Sequence, residues 1–493
     1  MKFLKTNIYL IIILSIISCK EKNSEVTISG NIKGDSPYII NYTSPTNKAS
    51  YPLFKEPITP DSIGNFQIKL PIKEAAFIKI IINKEDNLQQ ITNTSLVIEP
   101  NKNYVINFNL KKKKKFKIEG YNKTAQIEIN NFNNPAHIQI AARPFFKDSL
   151  ISNIIHEIDS LKNKDLLKLK TLYKKDSISK DFFDLVKLDR EYYYTSLKGT
   201  IGFVKFLMSE RNKDIFNNKV RDMWASCFNN DLLTRSDFQN TEWGYAFLEN
   251  YLFYKDYETV NFNKKQHEDL FKKTPRIEHS INTANKFLPK DKLEFYKASF
   301  LCNNLMQKNY EEELITVFNN FNTDFPNSNY KKHFKSRIDD VVAYHEKVKE
   351  PFDKKINFIE DYTSINKLDE VLQNLKGKKV YIDIWATWCG PCKKEFKHNK
   401  DLKDLLKKYN YEILYISLDR KQMHQQWLDM IKFYDLKGNH LRATKELSKD
   451  LHDMGIKYIP WYILINDGEI VKKRAQNPSK IKDLEKQLLE LEG

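Results

Sequence analysis

Glycine and proline are scarce, 13 and 16 among 493 residues. That excludes a collagen-like repeat and a chain made mostly of flexible linker. There are 5 cysteines, too few for a disulfide-dense small scaffold of this length. Beyond the N-terminal leader no stretch is long and apolar enough to span a bilayer. A Gly-rich phosphate loop and a Ser-His-Asp signature are missing. No nucleic-acid recognition motif accompanies the basic residues, so no nucleic-acid partner is expected. What remains is 41% hydrophobic and 29% charged, a composition suited to folded domains. The length calls for roughly two to four of them. The formal charge of +17 reads as a solvated, Lys-rich surface. Its sharpest run, Lys111–Lys115, stands between two apolar stretches and reads as a hairpin connection.

The leader sets the expected compartment. Lys2 and Lys5 precede an apolar run, Ile8–Ile17, which is interrupted only by Ser15 and is too short for a comfortable transmembrane helix. It closes with Ile16-Ile17-Ser18-Cys19, which resembles the lipobox of bacterial lipoproteins. The resemblance implies cleavage before Cys19 and lipid attachment to its sulfur; two or more acyl chains make a stable anchor. Residues 1–19 are therefore expected to be a lipoprotein signal ending in the lipid-attachment cysteine. The rest is expected in the cell envelope, facing the periplasm, with Lys20 favouring the outer over the inner membrane by analogy.

Residues 25–120 read as short strands. Val26-Thr-Ile28, Tyr38–Tyr42 and Phe66–Leu70 alternate or run apolar between turn signals, and Phe77–Ile82 is a compact apolar run. Leu96–Ile98 and Tyr104–Ile106 flank Glu99–Asn103, which predicts a hairpin. The spacing suggests a small β-sandwich-like domain, and the order of elements resembles an uncharacterised β-domain found in front of thioredoxin domains. Residues 121–350 change to helical periodicity, as in Ile151, Ile154, Ile155, Ile158 and Leu161, and predict an all-α region. Cys227 and Cys302 fall within it and read as two separately buried thiols, with a bridge as the alternative. From residue 353 to 493 strand and helix patterns alternate, as an α/β fold requires. The fold class is thus multidomain: all-β, then all-α, then α/β.

The chemistry concentrates in the last segment. Lys379–Trp385 is an apolar, aromatic run with one acid, Asp383, and fits a buried central strand. Ala386-Thr-Trp-Cys-Gly-Pro-Cys392 follows, and then a helical pattern. Cys389 and Cys392 therefore sit where a strand ends and a helix begins. Unpaired N–H groups and a partial positive charge there favour a thiolate. The outer cysteine is expected to attack and the inner one to resolve the mixed disulfide.

Trp388-Cys389-Gly390-Pro391-Cys392 resembles the thioredoxin active site. The wider stretch through Glu395, with Leu375–Lys379 before it and Ile459–Ile470 after it, resembles TlpA-type thioredoxins. The resemblance implies a thioredoxin fold over 353–493 and a thiol–disulfide oxidoreductase, reductive because Gly-Pro separates the cysteines. It implies Cys389 as attacking and Cys392 as resolving cysteine. It also implies that Asp383 is the buried acid that moves protons and Pro460 a cis-proline that brings the Ile459 backbone beside the disulfide. Trp388, Gly390, Pro391, Ile459 and Pro460 form the expected substrate-contact set. Protein disulfides are the expected substrates and a membrane electron donor the expected partner. No cofactor is expected beyond the redox disulfide. No metal is expected, because His398, His424, His440 and His452 are scattered. Asp435–Arg442 reads as an insertion. Two other functions stay open: a disulfide isomerase or oxidant, and an envelope binding lipoprotein in which the redox site is secondary.

Overall fold

The computed structural model describes residues 25–492 except 36, 47–48, 52–56, 86–89, 136, 211–214, 229–230 and 307–309. The leader and Cys19 lie outside the described residues.

Nine strands come first: β1 (Glu25–Lys33), β2 (Tyr38–Tyr42), β3 (Ser44–Thr46), β4 (Ala49–Tyr51), β5 (Asn65–Pro71), β6 (Ala76–Lys84), β7 (Gln90–Ile98), β8 (Asn103–Asn109) and β9 (Phe116–Gly120). Period-two alternation drives them. In β5, Phe66, Ile68 and Leu70 are buried and the residues between them exposed. One sheet has the order β5-β1-β8-β9, a second β2-β6-β7, and β3 pairs with β4. Ile28, Ile68 and Ile106 of the first sheet share one core with Ile40, Ile80 and Ile98 of the second, so the two sheets pack face to face. Lys111–Lys115 joins the antiparallel pair β8 and β9. The expected hairpin at Glu99–Asn103 is different: β7 pairs with β6 and β8 with β1 and β9. The chain crosses between sheets there, because Leu96 and Ile98 must enter the core from one side and Tyr104 and Ile106 from the other. The Glu99 N–H donates to the Tyr104 hydroxyl across this turn at 3.0 Å.

Eleven helices follow among the described residues, apart from short 3-10 turns: α1 (Lys123–Ile129), α2 (Ile138–Ala142), α3 (Ile151–Lys174), α4 (Lys180–Met208), α5 (Asn218–Ser226), α6 (Gly244–Thr259), α7 (Lys264–Lys273), α8 (Arg276–Phe287), α9 (Lys290–Met306), α10 (Glu313–Asp324) and α11 (Lys331–Lys347). Helix α1 closes the outer edge of β7 in an unusual way. Buried Gln126 accepts from the Val97 N–H at 3.0 Å and donates to the Val97 carbonyl at 2.6 Å. One turn on, Asn130 does the same for Ser95, at 3.0 and 2.7 Å. Two side-chain amides at i, i+4 thereby stand in for the next strand along the C-terminal half of β7. The helical core is aromatic, built around Trp224, Tyr192, Phe206, Phe247 and Phe295. Cys227 and Cys302 are both buried thiols, and burial pushes each up to about 12; the bridge between them is not formed.

The last region holds β10 (Ile356–Phe358), α12 (Leu368–Gln373), β11 (Lys379–Trp385), α13 (Gly390–Glu395), α14 (Asn399–Lys408), β12 (Tyr411–Ser417), α15 (His424–Phe433), β13 (Gly438–Arg442), α16 (Lys445–Asp453), β14 (Trp461–Asn466), β15 (Glu469–Lys472) and α17 (Ile481–Glu490). Its sheet has the order β10-β13-β12-β11-β14-β15. β11 lies centrally, parallel to β12 and antiparallel to β14, and is buried along nearly its whole length. Val380, Ile382 and Ile384 face one apolar layer; Tyr381 and Trp385 face the other. The segment Asp435–Arg442, expected as an insertion, contains β13, a member of this sheet. Its polar Asn439, His440 and Arg442 hide that role in the sequence. His440 is buried, donates its Nε2–H to the Leu436 carbonyl at 2.6 Å and stacks on Tyr415 at 4.8 Å.

Two stability tests follow from this architecture. Gln126→Leu strands the Val97 N–H and carbonyl together. It should lower stability by ~1–3 kcal/mol, read as a shifted urea midpoint of the β-region's circular dichroism signal. Burial holds His440 down to about 4, below its ordinary 6.5. Above 6.5 neither state binds the proton. As pH falls from 6.5 toward 4 only the unfolded chain binds it, so stability drops across that window, by up to roughly 3 kcal/mol. A His440→Gln variant should show a flatter urea midpoint against pH over the same range.

Candidate functional site

The site grows from the end of β11. The turn after the strand is held by Asp419, which is buried. Its carboxylate accepts from the Thr387 N–H at 2.9 Å, the Thr387 hydroxyl at 2.8 Å and the Ser417 hydroxyl at 2.7 Å. The Cys389 N–H returns to the Ala386 carbonyl at 3.0 Å. These bonds fix where the chain leaves the sheet and place Cys389 as the N-cap of α13. Cys389 and Cys392 are joined as a disulfide with S–S 2.02 Å. The Cys389 sulfur also accepts from the Cys392 N–H at 3.1 Å, so a backbone donor already points at the sulfur that would carry negative charge when reduced. Cys389 is 4% exposed and Cys392 0%, which orders them as outer and inner sulfur.

The expected contact residues are distributed as follows. Trp388 is 63% exposed beside the disulfide. Gly390 and Pro391 open α13, and a Cβ at Gly390 would meet nothing within 4 Å. The Ile459–Pro460 peptide is cis, and Ile459 packs against the core cluster that contains both cysteines. Around Pro460 stand an exposed Tyr458 and Trp461, edge to face at 5.2 Å, with the Arg474 guanidinium over both rings at 5.4 and 5.0 Å.

Asp383 lies on β11 between Tyr415 of β12 and Tyr462 of β14, its direct cross-strand neighbours. By strand alternation it faces the layer that holds Tyr381, Trp385 and Cys392. It is buried, and neither carboxylate oxygen has a hydrogen-bond partner among the described residues. Burial first, and the Glu395 charge second, push it well above the usual carboxylate range. The hydroxyls of Tyr415 and Tyr462 are likewise buried without a partner; burial and the Asp383 charge push both well above 10. Glu395, at the end of α13, is held by Asn477 and by the N–H and hydroxyl of Ser479, at 2.9–3.1 Å.

Sequence reasoning noted Glu395 only for its place after the cysteines and passed over Asp419 and Lys393. Lys393 follows Cys392 directly and is buried, and burial lowers its pKa against the pull of Glu311 and Asp419. Glu311 belongs to the helical region, which therefore comes close to α13. Tyr310 stacks on Tyr344 and abuts Phe433; Tyr434 packs on Phe396, and Phe396 on Trp385. No local sequence signal ties residues 310 and 434. Asp419, by contrast, carried one: an acid just past a buried strand.

Residues 358–488 match the Redoxin family model. Over 103 residues the chain is 32% identical to a thiol-disulfide oxidoreductase ResA of Bacillus cereus, covering 21% of this chain and 57% of that protein. Over 133 residues it is 29% identical to ResA of Bacillus subtilis, covering 27% and 70%. The chain thus spans a little over half the length of the first of these relatives. A solved structure of a thiol:disulfide interchange protein from Bacteroides sp. matches at 26% identity and a TM-score of 0.22, covering 24% of this chain and 78% of that one. The C-terminal region is a Redoxin domain of thioredoxin-like fold, similar to ResA.

Asp383→Asn tests the buried acid. Below the ordinary aspartate pKa of 3.8 both states are protonated and the carboxyl imposes no ionisation penalty. As pH rises past it the unfolded chain ionises first, and stability is lost until the raised folded pKa is passed. The variant should match wild type near pH 3.5 and exceed it at pH 8 by ~1–3 kcal/mol, measured as urea midpoints of the oxidised proteins.

Proposed function

We propose that this Redoxin domain makes the chain a thiol–disulfide oxidoreductase that reduces protein disulfides through Cys389 and Cys392. The observation that carries this is the Cys389–Cys392 disulfide at the strand–helix junction, its outer sulfur facing a backbone N–H. In the reduced form the Cys389 thiolate attacks a substrate disulfide, forming a mixed disulfide and releasing one substrate thiolate. The Cys392 thiolate then attacks the Cys389 sulfur. The second substrate thiolate leaves and the Cys389–Cys392 disulfide closes. Two electrons pass from the dithiol to the substrate. Asp383, kept protonatable by burial, takes the proton as Cys392 ionises. The rim of Trp388, Tyr458 and Trp461 and the Ile459 backbone bind an extended substrate segment, with Gly390 and Pro391 leaving the approach open. Gly-Pro between the cysteines favours reduction over oxidation or isomerisation.

The same proposal places the protein in the cell envelope, tethered through lipid on Cys19 and facing the periplasm, in the outer membrane in preference to the inner. Electrons come from a membrane donor. Among the described residues no helix is long and apolar enough to cross a membrane.

Cys389→Ser should abolish insulin reduction, by roughly a thousandfold or more. Cys392→Ser should accumulate mixed disulfides with substrate proteins, visible on non-reducing gels and absent from the double variant. Retained insulin reduction by Cys389→Ser defeats the assignment of the nucleophile.

A further inference from the structure

Helices α6, α7 and α8, far in sequence from the cysteines, bring three side chains to one point. Asp256 stands near the end of α6, His267 near the start of α7 and His279 in the first turn of α8. The His267 Nε2 lies 2.6 Å from Asp256 Oδ2; the His279 Nε2 lies 2.8 and 3.0 Å from Oδ1 and Oδ2. One ligand atom from each of the three falls within 4.8 Å of the others. We propose that Asp256, His267 and His279 form a divalent-cation site of the kind that holds zinc.

The donor set carries the choice of ion. Two imidazole nitrogens and a carboxylate oxygen are typical zinc ligands, and three protein ligands leave a fourth position for water. Tetrahedral zinc bonds of about 2.0–2.1 Å put ligand atoms roughly 3.3 Å apart. From the present distances the His267 Nε2 would retreat from the carboxylate by about 0.7 Å and the His279 Nε2 by about 0.3–0.5 Å, while ligand atoms up to 4.8 Å apart would draw closer, all within reach of side-chain motion. The rings are already oriented for it. Tyr257 stacks on His267 at 3.9 Å, and Phe271 stands edge-on to His267 at 5.0 Å and to His279 at 4.9 Å. This apolar wall desolvates the trio and strengthens ion binding. Among the described residues the only ion-pair partners of the Asp256 carboxylate are the two imidazoles, so no lysine or arginine competes with a cation. The Thr283 hydroxyl, 3.5 Å from both Asp256 Oδ1 and His279 Nε2, sits where it could hold a water on the ion.

The ion would pin α7 and α8 to the end of α6. The turn between α6 and α7 contains two consecutive left-handed residues, Asn261 (φ 48°) and Phe262 (φ 58°), a tight reversal that such a clamp would secure.

Reduced cysteines also bind zinc, so the full chain is tested in the oxidised form, after chelator treatment and with the Cys389–Cys392 disulfide verified by thiol titration. Calorimetry with Zn²⁺ should show one equivalent bound. Co²⁺ should give visible absorption of tetrahedral character, and Zn²⁺ but not Mg²⁺ should raise the thermal midpoint. His279→Gln and Asp256→Asn should each weaken Zn²⁺ binding by more than roughly tenfold while leaving insulin reduction unchanged. Stoichiometric Zn²⁺ uptake that survives in both variants, or none by the wild type, overturns the site and leaves the trio a hydrogen-bonded brace. If a variant fails to fold, the comparison of Zn²⁺ with Mg²⁺ on the wild-type midpoint decides.

Discussion

The C-terminal region is organised around one unsatisfied group: the carboxyl of Asp383, buried in the central strand with no hydrogen bond among the described residues. An isolated charge there is expensive, so the group takes its proton at pH values where a surface aspartate would not. Its neighbours share the cost. Tyr415 and Tyr462 place in the same layer hydroxyls that have no partner among the described residues, and Glu395 adds a like charge. A sheet built only for stability would carry an aliphatic residue at this register position, as it does at Ile382 and Ile384 on the other face. Keeping the acid costs stability, and under the proposed function that cost is offset by a group that can gain and lose a proton in the layer that holds Cys392.

The surrounding structure supplies the rigidity that such a site needs. Asp419 ties the strand's exit to its neighbour β12 through three hydrogen bonds. Glu395 ties the end of α13 to the segment before α17. The aromatic series from Tyr344 through Tyr310, Phe433, Tyr434 and Phe396 to Trp385 continues this packing into the helical region. The Lys432 ammonium adds a bond to the Val348 carbonyl at 2.9 Å. The redox end is thus braced from the helical side as well as from its own sheet.

Much of this was legible in the residues alone. The order of strands, helices and α/β alternation followed from periodicity, because hydrophobic spacing is local. The strand–helix junction at Cys389 and Cys392 followed from the local pattern, whereas Asp383 and Pro460 were singled out only by the resemblance to thioredoxins. Features that depend on how distant segments meet were not legible. β13 is polar enough to pass for a loop, since His440 satisfies a ring nitrogen on a carbonyl four residues away. The crossing between sheets at Glu99–Asn103 looks like a hairpin until the partner of each strand is known. Asp256, His267 and His279 occupy three helices with no short motif, and only the helix packing brings them together.

The side-chain amides on the edge of β7 bear on how the molecule comes apart. The outward peptide groups of Val97 and Ser95 find their partners in Gln126 of α1 and in its C-cap Asn130, which by secondary structure belong to the next region. If the sandwich opens, Gln126 and Asn130 lose their backbone partners; if α1 frays, Ser95 and Val97 lose theirs. The change from strand to helix near residue 120 is therefore no seam. The sheet and α1 are coupled at Ser95 and Val97, whose amide protons are protected only while both stay in place.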